Sequence, residues 1–169
     1  MALFEPVFRA LDATGARFVI VGGVAVVLQG HARLTADVDL VVDLEPEPCR
    51  RVVAALVDLG LQPRAPVEAI QFADPESRRR WSQEKGMEVF SLYDPSNPLL
   101  TVDLFVRPPV PFEELWGEAD VMRVGAIDVR VASIPHLIAM KRTVGRVQDR
   151  ERVARLEEIL RDREAADGG

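Results

Sequence analysis

Two short stretches determine the architecture of this chain: FVIVGG at residues 18–23 and TADVDLVV at residues 35–42. Residues 19–21 are apolar and β-branched, which is typical of a buried strand. The two glycines that follow, Gly22 and Gly23, allow a sharp turn and a close approach of a ligand to the main chain. The short apolar run from Val24 to Gln29 then predicts a helix that ends at Gly30.

The second stretch places two aspartates in a predicted strand. Residues two apart in a strand share a face, so Asp37 and Asp39 point the same way while Val38 and Leu40 face the core. Like charges at this spacing persist only when they are solvated, protonated or bridged by a cation. A hard divalent metal with oxygen ligands is the natural bridge. Without further evidence, a solvated turn before a strand would explain the two aspartates equally well.

A third aspartate, Asp103, lies inside another strand-like run, LTVDLFV at residues 100–106. An aspartate in such a strand is costly unless it has a partner. If this strand lies beside the Asp37 and Asp39 strand, three carboxylates converge on one place. Such an arrangement suits two-metal phosphoryl transfer.

The rest of the pattern predicts a single α/β (α+β) domain over residues 1–169. We expect a sheet-containing core at residues 1–132 and two C-terminal helices at 133–162, the second ending near Arg161 before a frayed tail. The turn residues at 94–98 predict a hairpin that leads into the Asp103 strand. Ala69 to Phe72 is predicted to be a short strand.

Three adjacent arginines lie in a predicted polar helix, Glu76 to Gln83. On a helix, Arg78, Arg79 and Arg80 point in different directions, which favours a solvated face over a phosphate or RNA contact.

Composition limits the possible functions. The chain has 169 residues, a net charge of −6 and one cysteine, Cys49, so an internal disulfide is excluded. The negative charge argues against broad, nonspecific binding of nucleic acid but leaves room for one small basic patch. No stretch approaches the roughly 20 apolar residues of a membrane span, and no signal peptide is recognisable. We therefore expect a cytoplasmic protein with no membrane association.

The order of these features resembles the DNA polymerase β-type nucleotidyltransferase superfamily. The resemblance consists of Gly22-Gly23, a spacer, Asp37-x-Asp39 and a later apolar strand that carries Asp103. The form Arg33-x-Thr35-x-Asp37-x-Asp39 is similar to its small bacterial branch, which includes AbiEii-type toxins and minimal nucleotidyltransferases. Many members carry serine at the position of Gly23.

The resemblance implies a nucleotidyltransferase fold: a small mixed β-sheet flanked by helices, with two C-terminal helices. It also implies two Mg²⁺ ions held by Asp37, Asp39 and Asp103, which would be the catalytic residues, and an NTP such as ATP as substrate. Residues expected to bind the nucleotide are Gly22, Gly23, Arg33, Thr35 and Lys141.

Two of these nucleotide contacts also have a simpler explanation. Arg33 precedes the acidic pair and would clamp a phosphate or lie in a surface loop. Lys141 falls in phase with Leu137 and Ile138 on a predicted helix, so it either extends to solvent or reaches a polar cavity. Its position also resembles the branch's C-terminal Lys-Arg element.

The resemblance leaves the acceptor open. It implies transfer of a nucleoside monophosphate to the 3′ end of tRNA, as in toxins of a toxin–antitoxin system. A protein side chain is the acceptor in antitoxin members that modify a partner, and a small molecule is the acceptor in antibiotic-modifying relatives. A catalytically silent nucleotide-binding module that regulates a cognate protein is a rival from a different functional class.

Overall fold

The computed structural model describes residues 3–31, 35–144 and 147–167, with the backbone alone at 143–144, 147–152 and 167. The strands in these residues are β1 (Phe18–Val21), β2 (Asp37–Val42), β3 (Gln62–Pro63), β4 (Val89–Asp94), β5 (Asn97–Phe105), β6 (Asp120–Val124) and β7 (Ile127–Val131). The α-helices are α1 (Glu5–Ala13), α2 (Gly22–Leu28), α3 (Pro46–Asp58), α4 (Pro75–Lys85), α5 (Phe112–Gly117), α6 (Ile134–Val144) and α7 (Val147–Asp167).

All seven described strands join one mixed sheet in the order β3-β4-β5-β2-β1-β7-β6. β1 and β2 are antiparallel neighbours, and helix α2 lies in the connection between them. β4–β5 and β6–β7 are antiparallel pairs of consecutive strands, and β7 extends the sheet by pairing in parallel with β1. The predicted mixed sheet flanked by helices is therefore confirmed.

The centre of the sheet is covered on both faces. All four residues of β1 are buried, and neighbouring side chains of a strand point to opposite faces. Helices α2 and α5 contact β1, and α1 contacts β7. Helix α1 buries one apolar stripe, Val7, Phe8 and Leu11, as its 3.6-residue spacing predicts. None of the helices in the described ranges is long and apolar enough to cross a membrane.

A buried glutamine fixes the end of α2 against the other half of the sheet. The Gln29 side chain is fully buried, and its Nε2 donates to Asp120 Oδ2 at 2.7 Å and to the Ala132 carbonyl at 2.9 Å. The Gln29 carbonyl accepts a hydrogen bond from Arg163 on α7 at 3.0 Å. Helix α2 is thereby held by β6, the end of β7 and the last helix.

Two local predictions are wrong. The segment predicted to be a strand at Ala69 to Phe72 is a 3₁₀ helix, Ala69–Ala73, because a short apolar run does not distinguish a strand from a buried helical turn. The last helix continues to Asp167, beyond the predicted end at Arg161. The bond from Arg163 to Gln29 anchors this extra length, so the part of the tail that the structure describes is helical.

One of the three adjacent arginines is buried, contrary to the expected solvated face. Arg78 is only 7% exposed. Its guanidinium donates to the Phe72 carbonyl at 2.6 Å and to the Leu44 carbonyl at 2.9 Å. It therefore joins α4 to the 3₁₀ helix and to the chain after β2. The neighbouring Arg79 remains on the surface, where it pairs with Glu76.

This difference predicts unequal effects of two similar substitutions. Arg78→Ala should lower the free energy of unfolding by about 2–4 kcal/mol, because it removes two hydrogen bonds from a buried guanidinium, one of them to the buried carbonyl of Phe72. Arg79→Ala should change it by less than about 0.5 kcal/mol, because exposed ion pairs contribute little. Urea unfolding followed by tryptophan fluorescence measures both. Equal effects of the two variants would contradict a structural role for Arg78.

Candidate active site

The parallel pairing of β2 with β5 brings the three predicted carboxylates to one face of the sheet. Asp39 lies directly opposite Asp103, and Asp37 lies opposite Thr101. Directly opposed residues share a face, so Asp37, Asp39 and Asp103 project from the same surface. Asp37 is exposed, whereas Asp39 and Asp103 are half-buried.

The diglycine turn lies against one of these carboxylates. Gly22 follows β1 with a φ of +62°, a left-handed conformation that favours glycine. A Cβ atom at Gly22 would lie 1.9 Å from Asp39 Oδ2, which leaves no room for any side chain. The Gly23 N–H donates to the same Oδ2 over 3.4 Å. The turn and the carboxylate of Asp39 are therefore packed directly on each other.

Asp39 is the carboxylate most perturbed by this environment. Burial raises its pKa to about 6, and the negative charges of Asp103 and then Asp37 act in the same direction. The Gly23 N–H and the positive charge of Lys141 oppose this rise. Near neutral pH the folded protein thus holds a charge that is only partly compensated.

Asp103 has a raised pKa for the same main reason, burial. The Ser91 side chain lowers this pKa by hydrogen bonding, Asp37 raises it, and Arg64 lowers it. Oδ1 of Asp103 is buried and has no hydrogen-bond partner within the described part of the chain. An orphaned carboxylate oxygen of this kind is suited to a cation or a proton.

The predicted nucleotide contacts are only partly described by the structure. Lys141 lies on α6, which contacts α2, and its charge acts on Asp39. Thr35 Oγ1 donates to the carbonyl of Asp37 at 3.2 Å, so it orders the start of β2. Arg33 lies outside the described residues.

The donor set suits a hard cation, although its side chains do not yet converge. Carboxylate oxygens are the ligands that Mg²⁺ prefers. Within residues 3–31, 35–144 and 147–167, no three aspartate, glutamate, histidine or cysteine side chains lie close enough together to hold a metal ion. Asp39 is turned toward Gly23 and Asp103 toward Ser91. Metal binding would require these carboxylates to turn toward one another, which the strand pairing permits.

Three polar residues near Asp103 were not identified from the sequence. Ser91 on β4 lies opposite Asp103, and Thr101 precedes it on β5. Arg64 donates to Thr101 Oγ1 at 3.2 Å. An isolated serine, threonine or loop arginine carries no distinctive signal, and only the strand register brings the three residues together.

The close packing of Gly22 against Asp39 predicts that a methyl group added at Gly22 strongly destabilises the protein. Gly22→Ala should destabilise the protein by several kcal/mol, because strain at positive φ adds to the clash with Asp39. Gly15→Ala is the matched control, since Gly15 has a φ of +66° and nothing within 4 Å of an added Cβ. The control should lose only about 1 kcal/mol. Thermal unfolding compares them, and equal losses would show that Asp39 can move away freely.

The raised pKa of Asp39 predicts that its ionised side chain lowers the stability of the folded protein. In EDTA at pH 7.5, Asp39→Asn should stabilise the protein by about 1–3 kcal/mol, because it removes a charge whose pKa is raised from 3.8 to about 6. Protonated Asp39 favours the folded state, so the advantage of the variant should shrink as pH falls from about 6 toward 3.8. Exposed Asp162→Asn should change stability by only a few tenths of a kcal/mol. A loss of stability in Asp39→Asn would refute the expected repulsion.

Comparison with known structures shows the same architecture. The chain matches the solution structure of the antibiotic-resistance factor ANT(2'')-Ia with a TM-score of 0.55 and 17% identity, over 98% of this chain and 92% of that one. It matches the crystal structure of ANT(2'')-Ia in complex with adenylyl-2''-tobramycin with a TM-score of 0.56 and 17% identity, over 97% and 94%. At this identity the likeness shows the fold alone. None of the curated proteins matches the chain.

The family is shown by a match over most of the sequence. The model of the nucleotidyl transferase AbiEii toxin, a type IV toxin–antitoxin (TA) system, matches residues 7–162. This range includes the diglycine turn and all three carboxylates. The chain therefore belongs to the AbiEii nucleotidyl transferase toxin family.

Proposed function

We propose that this protein transfers a nucleoside monophosphate from an NTP to an acceptor hydroxyl in a magnesium-dependent reaction. The observation that carries the proposal is the opposition of Asp39 and Asp103 on paired strands, beside the turn at Gly22. Membership of the AbiEii family supports nucleotidyl transfer as the class of reaction. The assignment of individual residues to steps is part of the proposal.

Asp37, Asp39 and Asp103 would hold two Mg²⁺ ions, which when bound stabilise the attacking and leaving oxygens of an in-line displacement. Gly22 and Gly23 would let the triphosphate approach the main chain, since no side chain stands in the way. Lys141 would contact the triphosphate from α6. Thr35 and Arg33 would contact it from the segment before β2.

Asp103 would act as the general base. Its raised pKa makes it a better proton acceptor than an ordinary aspartate. As the acceptor oxygen bonds to the α-phosphorus, the bond to pyrophosphate breaks, and Asp103 takes the proton of the hydroxyl. Pyrophosphate leaves as the second product.

The acceptor that we propose is the 3′ end of tRNA, and the partner is a cognate antitoxin. Both follow from membership of a toxin family and not from a feature of the carboxylate cluster. A protein or small-molecule acceptor, and a catalytically silent nucleotide-binding module, are outcomes that the experiment below distinguishes.

The test is transfer of label from each of the four α-³²P-labelled NTPs. The protein with Mg²⁺ is mixed with total tRNA, a co-purified partner protein or an aminoglycoside. We expect label on tRNA, and a loss of at least about 100-fold in Asp39→Asn and in Asp103→Asn, because each would remove a metal ligand and the latter also the base. Exposed Asp58→Asn is the control and should retain full activity. EDTA should abolish the reaction.

Other outcomes would replace the proposal. Label on the partner protein would identify a protein-modifying enzyme, and label on the aminoglycoside would identify a drug-modifying one. NTP binding without transfer to any acceptor would identify a regulatory module. Transfer that survives Asp39→Asn would exclude the carboxylate cluster as the catalytic centre.

A further inference from the structure

A row of polar residues crosses four neighbouring strands on the face that carries the carboxylates. Asp39 is opposite Asp103, and Asp103 is opposite Ser91. The Arg64 N–H donates to the Ser91 carbonyl at 2.9 Å. This bond continues the β3–β4 register, in which Gln62 is opposite Tyr93 and Pro63 is opposite Leu92. Arg64 therefore follows Ser91 in the row.

The Arg64 guanidinium is held in place by two uncharged groups. One terminal nitrogen donates to Thr101 Oγ1 at 3.2 Å. Its central carbon lies 5.0 Å from the centroid of the Tyr93 ring, within the range of a cation–π contact. Thr101 is in turn the register partner of Asp37. The side chain is exposed, so most of its five N–H donors face solvent.

The position of Arg64 relative to the glycine turn suggests which substrate it meets. In the sheet order β3-β4-β5-β2-β1, the glycine turn follows β1 and Arg64 follows β3. The two features thus flank the β2–β5 carboxylates from opposite sides. In-line displacement requires that the attacking and leaving oxygens lie on opposite sides of the α-phosphorus. If pyrophosphate leaves over the glycine turn, the acceptor approaches over β4, past Arg64.

The chemistry of this approach favours an anionic acceptor. A planar guanidinium matches the geometry of a phosphate group, and it would repel a polycationic aminoglycoside. The chain has a net charge of −6, so binding of a polyanion requires a local cation of this kind. Arg64 lies next to Ser91, which is opposite Asp103, and its positive charge lowers the pKa of the Asp103 carboxyl group.

We propose that Arg64, oriented by Tyr93 and Thr101, binds a backbone phosphate of a nucleic-acid acceptor and so positions its terminal hydroxyl beside Asp103. The inference rests on the proposed function and specifies the acceptor side of the same site. Arg64 is a positioning residue: it contacts the acceptor but takes no proton and forms no bond to the transferred group.

Binding provides a test that does not require turnover. The probe is a 5′-fluorescein-labelled single-stranded RNA of 12 nucleotides with a free 3′ hydroxyl, titrated by fluorescence anisotropy. Arg64→Gln should weaken binding about tenfold, as expected for the loss of one charge-assisted hydrogen bond. The slope of log K against log salt concentration should fall by about 0.7, the value for one phosphate contact on a single strand.

Two further variants control for charge and for geometry. Arg64→Lys keeps the charge but loses the planar group, so it should restore affinity only in part. Arg107→Gln removes another exposed arginine, beyond the end of β5, and should bind RNA like the unmodified protein. In the transfer assay, Arg64→Gln should raise the KM for RNA about tenfold, with kcat and the KM for NTP changed less than about threefold.

Several results would overturn the proposal. One is that the unmodified protein does not bind RNA. Another is that Arg64→Gln and Arg107→Gln bind RNA equally well. A third is that Arg64→Gln raises the KM for NTP and not the KM for RNA. Preferential labelling of a protein or an aminoglycoside would likewise exclude a nucleic-acid acceptor. Failure of the proposed function has a different signature: no transfer to any acceptor, whatever the RNA affinities of the variants.

Discussion

The arrangement of the candidate active site depends on the electrostatic repulsion between Asp39 and Asp103. Burial raises the pKa of both carboxyl groups, and the charge of Asp103, which lies opposite on the paired strand, raises that of Asp39 further. Asp39 receives partial compensation from the Gly23 N–H and from Lys141, and Asp103 receives it from Ser91 and Arg64. These compensating groups come from α2, α6, β4 and the residue after β3. Groups from four separate parts of the chain therefore stabilise the negative charges of these two carboxylates.

Incomplete compensation of this kind is typical of functional sites. A structural ion pair would satisfy each carboxylate with an arginine or lysine in direct contact. Here one oxygen of Asp103 is buried without a partner in the described residues, and the hydrogen bond from the Gly23 N–H to Asp39 is long, at 3.4 Å. Perturbed acids in such a setting are candidates for catalysis, because a substrate or a metal completes the missing interactions. The fold thus retains a local electrostatic repulsion that a bound cation or a proton would relieve.

Local sequence patterns were sufficient to predict the elements that carry the carboxylates. β-Branched runs identify β1 and β2, and a lone acid inside an apolar strand identifies Asp103 as unusual. The glycines at 22 and 23 mark the turn, and at Gly22 any other residue would clash with Asp39. The prediction that these parts meet came from resemblance to a family, since periodicity does not specify which strands are neighbours.

The surroundings of Asp103 could not be predicted because they depend on register. The turn pairs Asp94 with Asn97, and continuing that register would put Ser91 opposite Leu100. An irregularity between Tyr93 and Asp94 shifts the pairing, so that Ser91 faces Asp103. Arg64 follows a strand of only two residues, too short for a recognisable pattern. The burial of Arg78 is not predictable from the sequence, because a polar segment gives no sign of the two carbonyls to which Arg78 donates.

The parallel β2–β5 pairing also has a consequence for how the carboxylate cluster forms. Its partners are distant along the polypeptide, and α3, α4 and β4 lie between them in the sequence. Contacts of such long range form late, since the entropy of loop closure must be overcome first. In a nascent or partly folded chain, Asp37 and Asp39 would be present without Asp103 beside them. The carboxylate cluster would thus be incomplete until β5 has been synthesised and has paired with β2.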